Sequence, residues 1–558
     1  LHKNHIALIT IKITQGVPMV RTGKRYRSGR ADSNYDAIII GSGIGGLTTA
    51  ALLSKLGKKV CVLEQHYTAG GYTHSYVRNG YEWDVGVHYV GEVHKPWSVL
   101  RLVFDTITDS KLEWAEMDAL YDKIIFKDQS YNFKAGKNAF REELIEHFPH
   151  EAEGIDKYIE MIYDVSRQIP KFFAGQAMPK LAGQIYNKSR SLLMPDFFFK
   201  SVKEVLNELF TDQKLIGVIC GQWGDYGLPP SEASFMMHAM IAKHYMAGGC
   251  YPVGGSWEIA NKIIPVIQQS GGEVFTYAGV EKIIIKKNKA IGVQLVNGDQ
   301  IFAKQIASNV GIFPTIKQLL PEDAAAKYDL KKLESKITTS SSHLCIYAGF
   351  KGNTKELGLN TTNLWIYPGY DHDKNVKVYR EKPEGNLPLI YISFPSAKDP
   401  TWEDRYPDKS TVEIVTIGQW DKFAPWQDKQ WNKRGDDYEE MKQAIAEEML
   451  DVLFKQHPQL REALDYYELS TPVSTKWFQW NMKGEIYGID HTVTRFKQDW
   501  LHPETPIKNL YLTGSDIVTA GVGGALMGGV MSTSCMLGLQ GYKVMKLIKQ
   551  TAKSKSVA

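Results

Sequence analysis

The sequence predicts a two-domain α/β protein in which a parallel-sheet domain is interrupted along the chain by an inserted α+β domain. Three observations carry this. An apolar strand, Tyr35 to Ile40, breaks into the turn Gly41-Ser42-Gly43-Ile44-Gly45-Gly46, and a second strand, Lys59 to Leu63, closes on Glu64. A mainly helical stretch runs from about Pro96 to Phe210, and strand signals return near residue 250. Near the C-terminus, Asn509 to Asp516 and the run from Gly521 to Gly529 repeat the order of strand, glycine and helix.

The first block has the chemistry of a Rossmann-type dinucleotide site. Gly41 permits the tight turn, Gly43 lets backbone N–H groups approach a pyrophosphate, and Gly46 lets the following helix, expected over Leu47 to Leu56, lie close to its strand. The N-terminus of that helix faces the phosphates. Glu64 stands 23 positions after Gly41, where a carboxylate accepts two ribose hydroxyls and repels a 2′-phosphate. An adenosine diphosphate with a free ribose, as in FAD or NAD, follows.

The intervening segments are read in order. Gly70 to Tyr76 and Gly80 to Gly91 are loops and short strands, and Glu142 to Gln168 has apolar residues at helical spacing. The clusters Ile169 to Phe173 and Leu192 to Lys200 place bulky apolar side chains beside prolines and lysines, as core, as tunnel lining or as a membrane-dipping surface. A helix is expected from Trp257 to Ser270, strands at Gly271 to Thr276 and Val280 to Ile285, and a hairpin at Asn297-Gly298-Asp299. Trp365, Tyr367, Trp420 and Trp426 suit either a core or an apolar pocket. A strand ends at Gly514, with Asp516 at its carboxyl end, where ligands sit in open α/β sheets. The glycines at 521, 523, 524, 528 and 529 favour close approach to a flat ligand over a loosely packed helix.

Composition narrows the function. The 558 residues are 43% hydrophobic and 23% charged, with a net charge of +4, which gives no reason to expect nucleic acid. Five scattered cysteines form neither a disulfide framework nor a zinc pattern, so no metal and a reducing, cytoplasmic setting are expected. No stretch approaches the ~18 apolar residues of a spanning helix. Leu1 to Pro18, which precede Met19, are read as a start-site artefact without a signal peptide. Basic clusters at Arg21, Lys24, Arg25, Arg27 and Arg30, and again from Lys543 to Lys555, predict either solvated ends or peripheral contact with the inner face of a membrane.

These motifs together resemble the flavin-dependent phytoene desaturase and carotenoid isomerase superfamily, and within it the retinol saturase branch. The resemblance spans Tyr35 to about Gly541. It rests on the Gly41 turn, Glu64-Gln65-His66, Gly70-Gly71, Asp84 to Gly91, Gly227 to Ser231, Tyr251 to Gly255 and Leu512 to Asp516. It implies a noncontiguous FAD domain over 35–100, 226–318 and 476–545, a substrate domain over 101–225 and 319–475, a basic arm over 1–34 and a basic tail over 546–558. It also implies that Glu64 binds the adenosine ribose, that Val280 offers backbone to the adenine, and that Asp516 meets the ribityl or pyrophosphate group. Gly70 and Gly71 then pass near the flavin, and Gly523 and Gly524 lie at its pyrimidine edge. Many relatives carry arginine after the paired glycines; here Tyr72 takes its place.

The implied substrate is a long apolar unsaturated molecule, retinoid, carotenoid or fatty-acid-like. Saturating an isolated double bond requires a proton besides the cofactor's hydrogen, and His88, Tyr89 and Tyr487 are the candidate donors. Desaturation and cis-trans isomerisation of a polyene fit the same fold, and a non-catalytic flavin or lipid carrier is the remaining alternative. A single dinucleotide motif leaves reducing equivalents to a transient nicotinamide donor or to a redox protein.

Overall fold

A computed structural model of the chain describes residues 21–557, apart from the side chains of 554–557. Leu1 to Pro18 and the first part of the expected basic arm lie outside the described residues. The nucleotide-binding sheet has eight strands. Their order is Lys24–Arg25, Glu273–Thr276, Val60–Leu63, Asn34–Ile40, Gln300–Ser308, Lys289–Leu295 and Val280–Lys286, and Leu510–Leu512 also pairs with Gln300–Ser308. The strands around Asn34–Ile40 are parallel, while the last three form an antiparallel meander. Three widely separated stretches of sequence therefore build one sheet. Its central strand reads Ala37-Ile38-Ile39-Ile40, apolar without alternation, because helices or loops cover both faces.

Helix Ile44–Lys55 and the glycine-rich helix Gly521–Met536 pack against each other beside this sheet. The contact is backbone to backbone. A Cβ on Gly45 would lie 2.5 Å from Gly514 Cα, and one on Gly529 would lie 2.6 Å from the Gly45 carbonyl oxygen. Gly528 is tighter still, since a Cβ there would meet the Gly514 carbonyl oxygen at 2.1 Å. Gly528 and Gly529 thus serve packing, and only Gly521, Gly523 and Gly524 of the five expected at a flat ligand face the cavity described below.

The second sheet has seven strands in the order Leu464–Ser470, Ser342–Lys351, Lys409–Gly418, Ile390–Ser393, Asn363–Ile366, Leu120–Ile125 and Ser130–Lys134. Its outer face packs on helix Asp436–Gln456, with Leu344, Ile346, Ile414 and Leu453 in one core. Trp365 and Tyr367 are buried in a core, and Trp420 and Trp426 pack on the edge of another, so none of the four lines the cavity.

Three expectations are corrected. Lys24–Arg25, placed in a free arm, pair in parallel with Phe275 and Thr276, and Tyr26 is buried with its hydroxyl on Asp299; so short a strand leaves no periodic signal. The stretch after Pro96 is less helical than expected, because Trp114–Glu116, Leu120–Ile125 and Ser130–Lys134 are strands between helix Val99–Ile107 and the helices that resume at Lys137. The basic tail is helical: Tyr542–Val557 form a helix that seats Val544 and Ile548 against helix Val99–Ile107. Apolar residues four apart supply that buried stripe between the lysines.

Candidate functional site

Four parallel strands end level with one another. Ile40 is beside Leu63 and Ser308, and Ser308 is beside Leu512, so Gly41, Glu64, Asn309 and Gly514 emerge along one edge. Gly41 (φ 89°) and Gly514 (φ 91°) turn the chain through the left-handed region, where a side chain is strained. A Cβ on Gly46 would lie 2.3 Å from the Gly41 carbonyl oxygen, which holds the helix against its own strand. The Asn309 side chain fills the space between the two glycine turns, beside Gly43, Gly45 and Gly514.

Glu64 is tied to the turn as well as presented beside it. Its Oε2 accepts from the Ser42 backbone N–H at 2.9 Å and from the Ser42 hydroxyl at 2.7 Å, and Oε1 accepts from His66 N–H at 2.8 Å. The Ser42 oxygen in turn accepts from Gly70 N–H at 3.0 Å, which fastens the second glycine pair to the first. Helices Ile44–Lys55 and Gly521–Met536 both begin without a side-chain cap, at Gly43 and Ala520, so their first N–H groups remain open to a ligand.

A cavity of about 990 Å³ opens from this edge. Ligand pockets run to roughly 1,000 Å³ at the large end, so it suits an extended ligand or two ligands end to end. Gly41, Gly43, Gly45, Glu64, Gln65, Gly71, Val280, Asp516, Gly523 and Gly524 line it, while Ser42, Gly46, Gly70 and Gly514 stand behind that lining. Asp516 is fixed by two backbone donors: Oδ2 accepts from Ile312 N–H at 2.7 Å, and Oδ1 accepts from Ile489 N–H at 3.0 Å. Tyr72 donates its hydroxyl to the Glu485 carbonyl at 3.0 Å.

The same cavity continues into the second domain, where Ile169, Pro170, Phe173, Met178, Met240 and Ile241 make its wall apolar. It reaches the exterior beside Val99 and Met545, which are lining residues and exposed. His88, Tyr89 and Tyr487 also face it. Each has a polar atom already engaged. Tyr487 donates to the Gly224 carbonyl at 2.9 Å, and Tyr89 donates to Asp122 Oδ2 at 2.9 Å while stacking on Tyr245 at 4.0 Å. His88 Nδ1 is 2.8 Å from Glu413 Oε2, and burial, aided by the Lys398 charge, lowers its pKa to about 3, so the ring is neutral.

Behind these rings lies a buried polar cluster that sequence spacing does not reveal. Asp122 accepts from Tyr89, from Gln222 at 2.7 Å and from Asn363 at 2.8 Å. Lys398 donates to the Asn363 side chain at 2.5 Å, to Ser393 at 2.7 Å and to the His88 carbonyl at 3.0 Å, and burial lowers its pKa to about 7. Asp225 lines the cavity 3.4 Å from the Tyr89 hydroxyl. Among the described residues no cluster of side chains is arranged to hold a metal ion, and no helix is long and apolar enough to cross a membrane.

Comparison with known proteins agrees with this geometry. Residues 39–102 match the family described as an NAD(P)-binding Rossmann-like domain. The chain is 35% identical to the all-trans-retinol 13,14-reductase of Danio rerio, over 92% of this chain and 87% of the relative. It is 31% identical to a second Danio rerio protein, named an inactive all-trans-retinol 13,14-reductase, over 96% and 91%. It is 27% identical to the chloroplastic prolycopene isomerase of Daucus carota, over 78% and 69%. Among solved structures, putrescine oxidase superposes with a TM-score of 0.58 at 15% identity, covering 90% of this chain and 99% of that one, which is a likeness of fold.

Proposed function

The chain belongs to the all-trans-retinol 13,14-reductase family, and from that premise we propose that it binds FAD along the strand-end crevice and saturates a double bond of a long apolar polyene. One observation carries the reading: a single cavity joins the glycine turns and Glu64 to an apolar, aromatic corridor in the second domain. The residues fit the cofactor. A Cβ on Gly71 would lie 2.8 Å from Gly43 Cα, so bare backbone lines the cradle, and two uncapped helix ends face it.

In this reading Glu64 accepts the ribose hydroxyls, with Gln65 and the Val280 backbone near the adenine. The Gly41 to Gly46 turn takes the pyrophosphate, Gly514 and Asp516 take the ribityl side, and Gly70, Gly71, Gly523 and Gly524 flank the flavin ring. When bound, reduced flavin supplies one hydrogen with its electron pair. The chain's own part is to align the polyene in the corridor, exclude water and deliver a proton. No second glycine turn with a spaced acid occurs in the sequence, so electrons arrive from a transient nicotinamide donor or a redox protein.

The corridor mouth suits a lipid surface. Trp97, Val99, Tyr542 and Met545 are exposed around it, and Leu181 and Ile185 are exposed on helix Lys180–Leu193, which packs on the cavity-lining turn Ala174–Ala177. Lys546 and Lys549 on the last helix are exposed nearby in sequence. We place the protein on the inner, cytoplasmic face of a membrane, consistent with five buried free cysteines.

The match to a prolycopene isomerase favours a second reading, isomerisation of a polyene without net reduction. Anaerobic incubation of the reduced flavoprotein with retinoids, carotenoids and unsaturated fatty acids, followed by mass spectrometry, separates the cases. A gain of two hydrogens supports saturation, unchanged mass with altered retention supports isomerisation, and a loss of two hydrogens supports desaturation. No conversion across the panel assigns the chain to the side of its inactive relative.

A further inference from the structure

The polar cluster behind the corridor contains one group that none of the assignments above uses. Asp225 ends the short turn Trp223–Asp225, two residues before the Gly227 bend, and lines the cavity. Among the described residues it has a single side-chain hydrogen-bonding partner, the Tyr89 hydroxyl at 3.4 Å, and that hydroxyl is held closer by Asp122. Two carboxyl groups therefore flank one phenol.

The groups around Asp225 are the wrong kind to stabilise its anion. The ionisable side chains whose charge couples to it, Tyr89, Tyr226, Tyr245, Tyr367, Tyr391 and Tyr487, bring no positive charge. Asp122, on strand Leu120–Ile125, adds negative charge. Lys398 is directed elsewhere, to Asn363, Ser393 and the His88 carbonyl. Asp122 differs from Asp225 in accepting three neutral hydrogen bonds, so of the pair it is better suited to carry the charge. Burial first, and then the Asp122 charge, push the Asp225 pKa well above the usual carboxylate range. Of the two carboxyl groups flanking the phenol, Asp225 is therefore the one better placed to hold a proton.

We propose that Asp225 is the catalytic acid of the corridor, donating its O–H proton to the substrate double bond, with Tyr89 and Asp122 as the positioning residues that hold it. The step rests on the saturase reading and balances simply. One alkene carbon receives a hydrogen with its electron pair from the reduced flavin, and the π electrons form the second C–H bond with the Asp225 proton. Asp225 is left as a carboxylate 3.4 Å from the Tyr89 hydroxyl, and solvent entering after product release reprotonates it. The three donors expected from the sequence, His88, Tyr89 and Tyr487, are poorer ones. Both tyrosines are raised by burial and already bonded, and His88 is neutral with Nδ1 engaged.

The test uses the flavin-loaded protein and reads two things. Infrared difference spectra between wild type and Asp225→Asn, at neutral pH and without substrate, are expected to show the loss of one protonated carboxylic acid carbonyl band. Single-turnover reduction of the polyene is expected to slow by about 100-fold or more in Asp225→Asn. Wild type is expected to lose rate as pH rises through the Asp225 pKa, and Asp225→Glu to recover both rate and pH limb. Tyr89→Phe is expected to shift that limb. An unchanged infrared band, or an Asp225→Asn enzyme with wild-type rate and pH profile, overturns the proposal. If Asp225→Asn does not fold, the Glu and Phe variants decide the matter by the same pH limb. If wild type reduces no polyene, the saturase reading fails, while the infrared result still reports whether Asp225 holds a proton.

Discussion

Glu64 and Ser42 are joined twice, the backbone N–H and the hydroxyl of Ser42 both donating to Glu64 Oε2 at 2.9 and 2.7 Å. The acid at the end of one strand thereby locks the glycine turn at the end of its neighbour, and the pair shapes the cradle before any ligand enters.

Breaking that pair is expected to release the cofactor. Hydrogen bonds to a charged group contribute about 1.5–3 kcal/mol, so Glu64→Ala is predicted to weaken FAD binding by roughly 10- to 100-fold. Ser42→Ala should lose less, because the backbone donor remains. Titration of apoprotein followed by flavin fluorescence measures both.

The glycines of the last long helix divide into two kinds. Gly528→Ala drives a methyl group into the Gly514 carbonyl and is predicted to cost at least about 1–3 kcal/mol, seen as a lowered Tm or failure to fold. In Gly523→Ala the nearest atom is Leu100 Cδ1 at 3.2 Å, on a side chain that yields, so Tm is expected to hold. The Gly523 methyl faces the cavity, and its effect should appear as weaker flavin binding.

Acid is expected to unfold the protein through histidines buried in neutral form. Burial lowers the pKa of His238, held between the Tyr158 and Tyr226 hydroxyls, from 6.5 to about 3, and those of His343 and His372 to about 4. Below pH 6.5 the unfolded chain binds protons that the folded chain refuses. Stability is therefore present above 6.5 and declines as pH falls toward the folded values, by about 1 kcal/mol per pH unit for each such group. Thermal melts from pH 7 to 4 should show this slope, and His238→Gln should flatten it.

Membrane contact predicts a graded response. Leu181→Glu combined with Ile185→Glu is expected to lower partition onto anionic phosphatidylserine vesicles by at least about tenfold, given the ~1.5–3 kcal/mol carried by each large apolar side chain when buried. Replacing Lys546 and Lys549 by glutamate should weaken binding chiefly at low salt. Vesicle co-sedimentation at two ionic strengths distinguishes the two contributions, and retention of wild-type partition in both variants would remove this face from consideration.

Much of the dinucleotide domain was legible because its chemistry is local. A strand, a glycine turn and an acid at fixed spacing lie within 35 consecutive residues, and the level strand ends place Glu64 and Gly514 on one edge as expected. The buried acid cluster was not legible. Tyr89 meets Asp122 from 33 positions away, and Asp122 meets Asn363 from 241, so no local spacing announces the group. The last helix was missed for a different reason: lysines at Lys543, Lys546 and Lys549 suggested a solvated tail, and Val544 and Ile548 gained their meaning only when helix Val99–Ile107 was found beneath them.

The two halves of the cradle come from stretches far apart in the sequence. The Thr49 and Thr513 hydroxyls lie 2.9 Å apart across a sequence separation of 464 residues. The first glycine turn therefore meets its counterpart only after the several hundred intervening residues have been made. A product truncated between Thr49 and Thr513 would carry the first glycine turn without the strand and glycine-rich helix that pack against it.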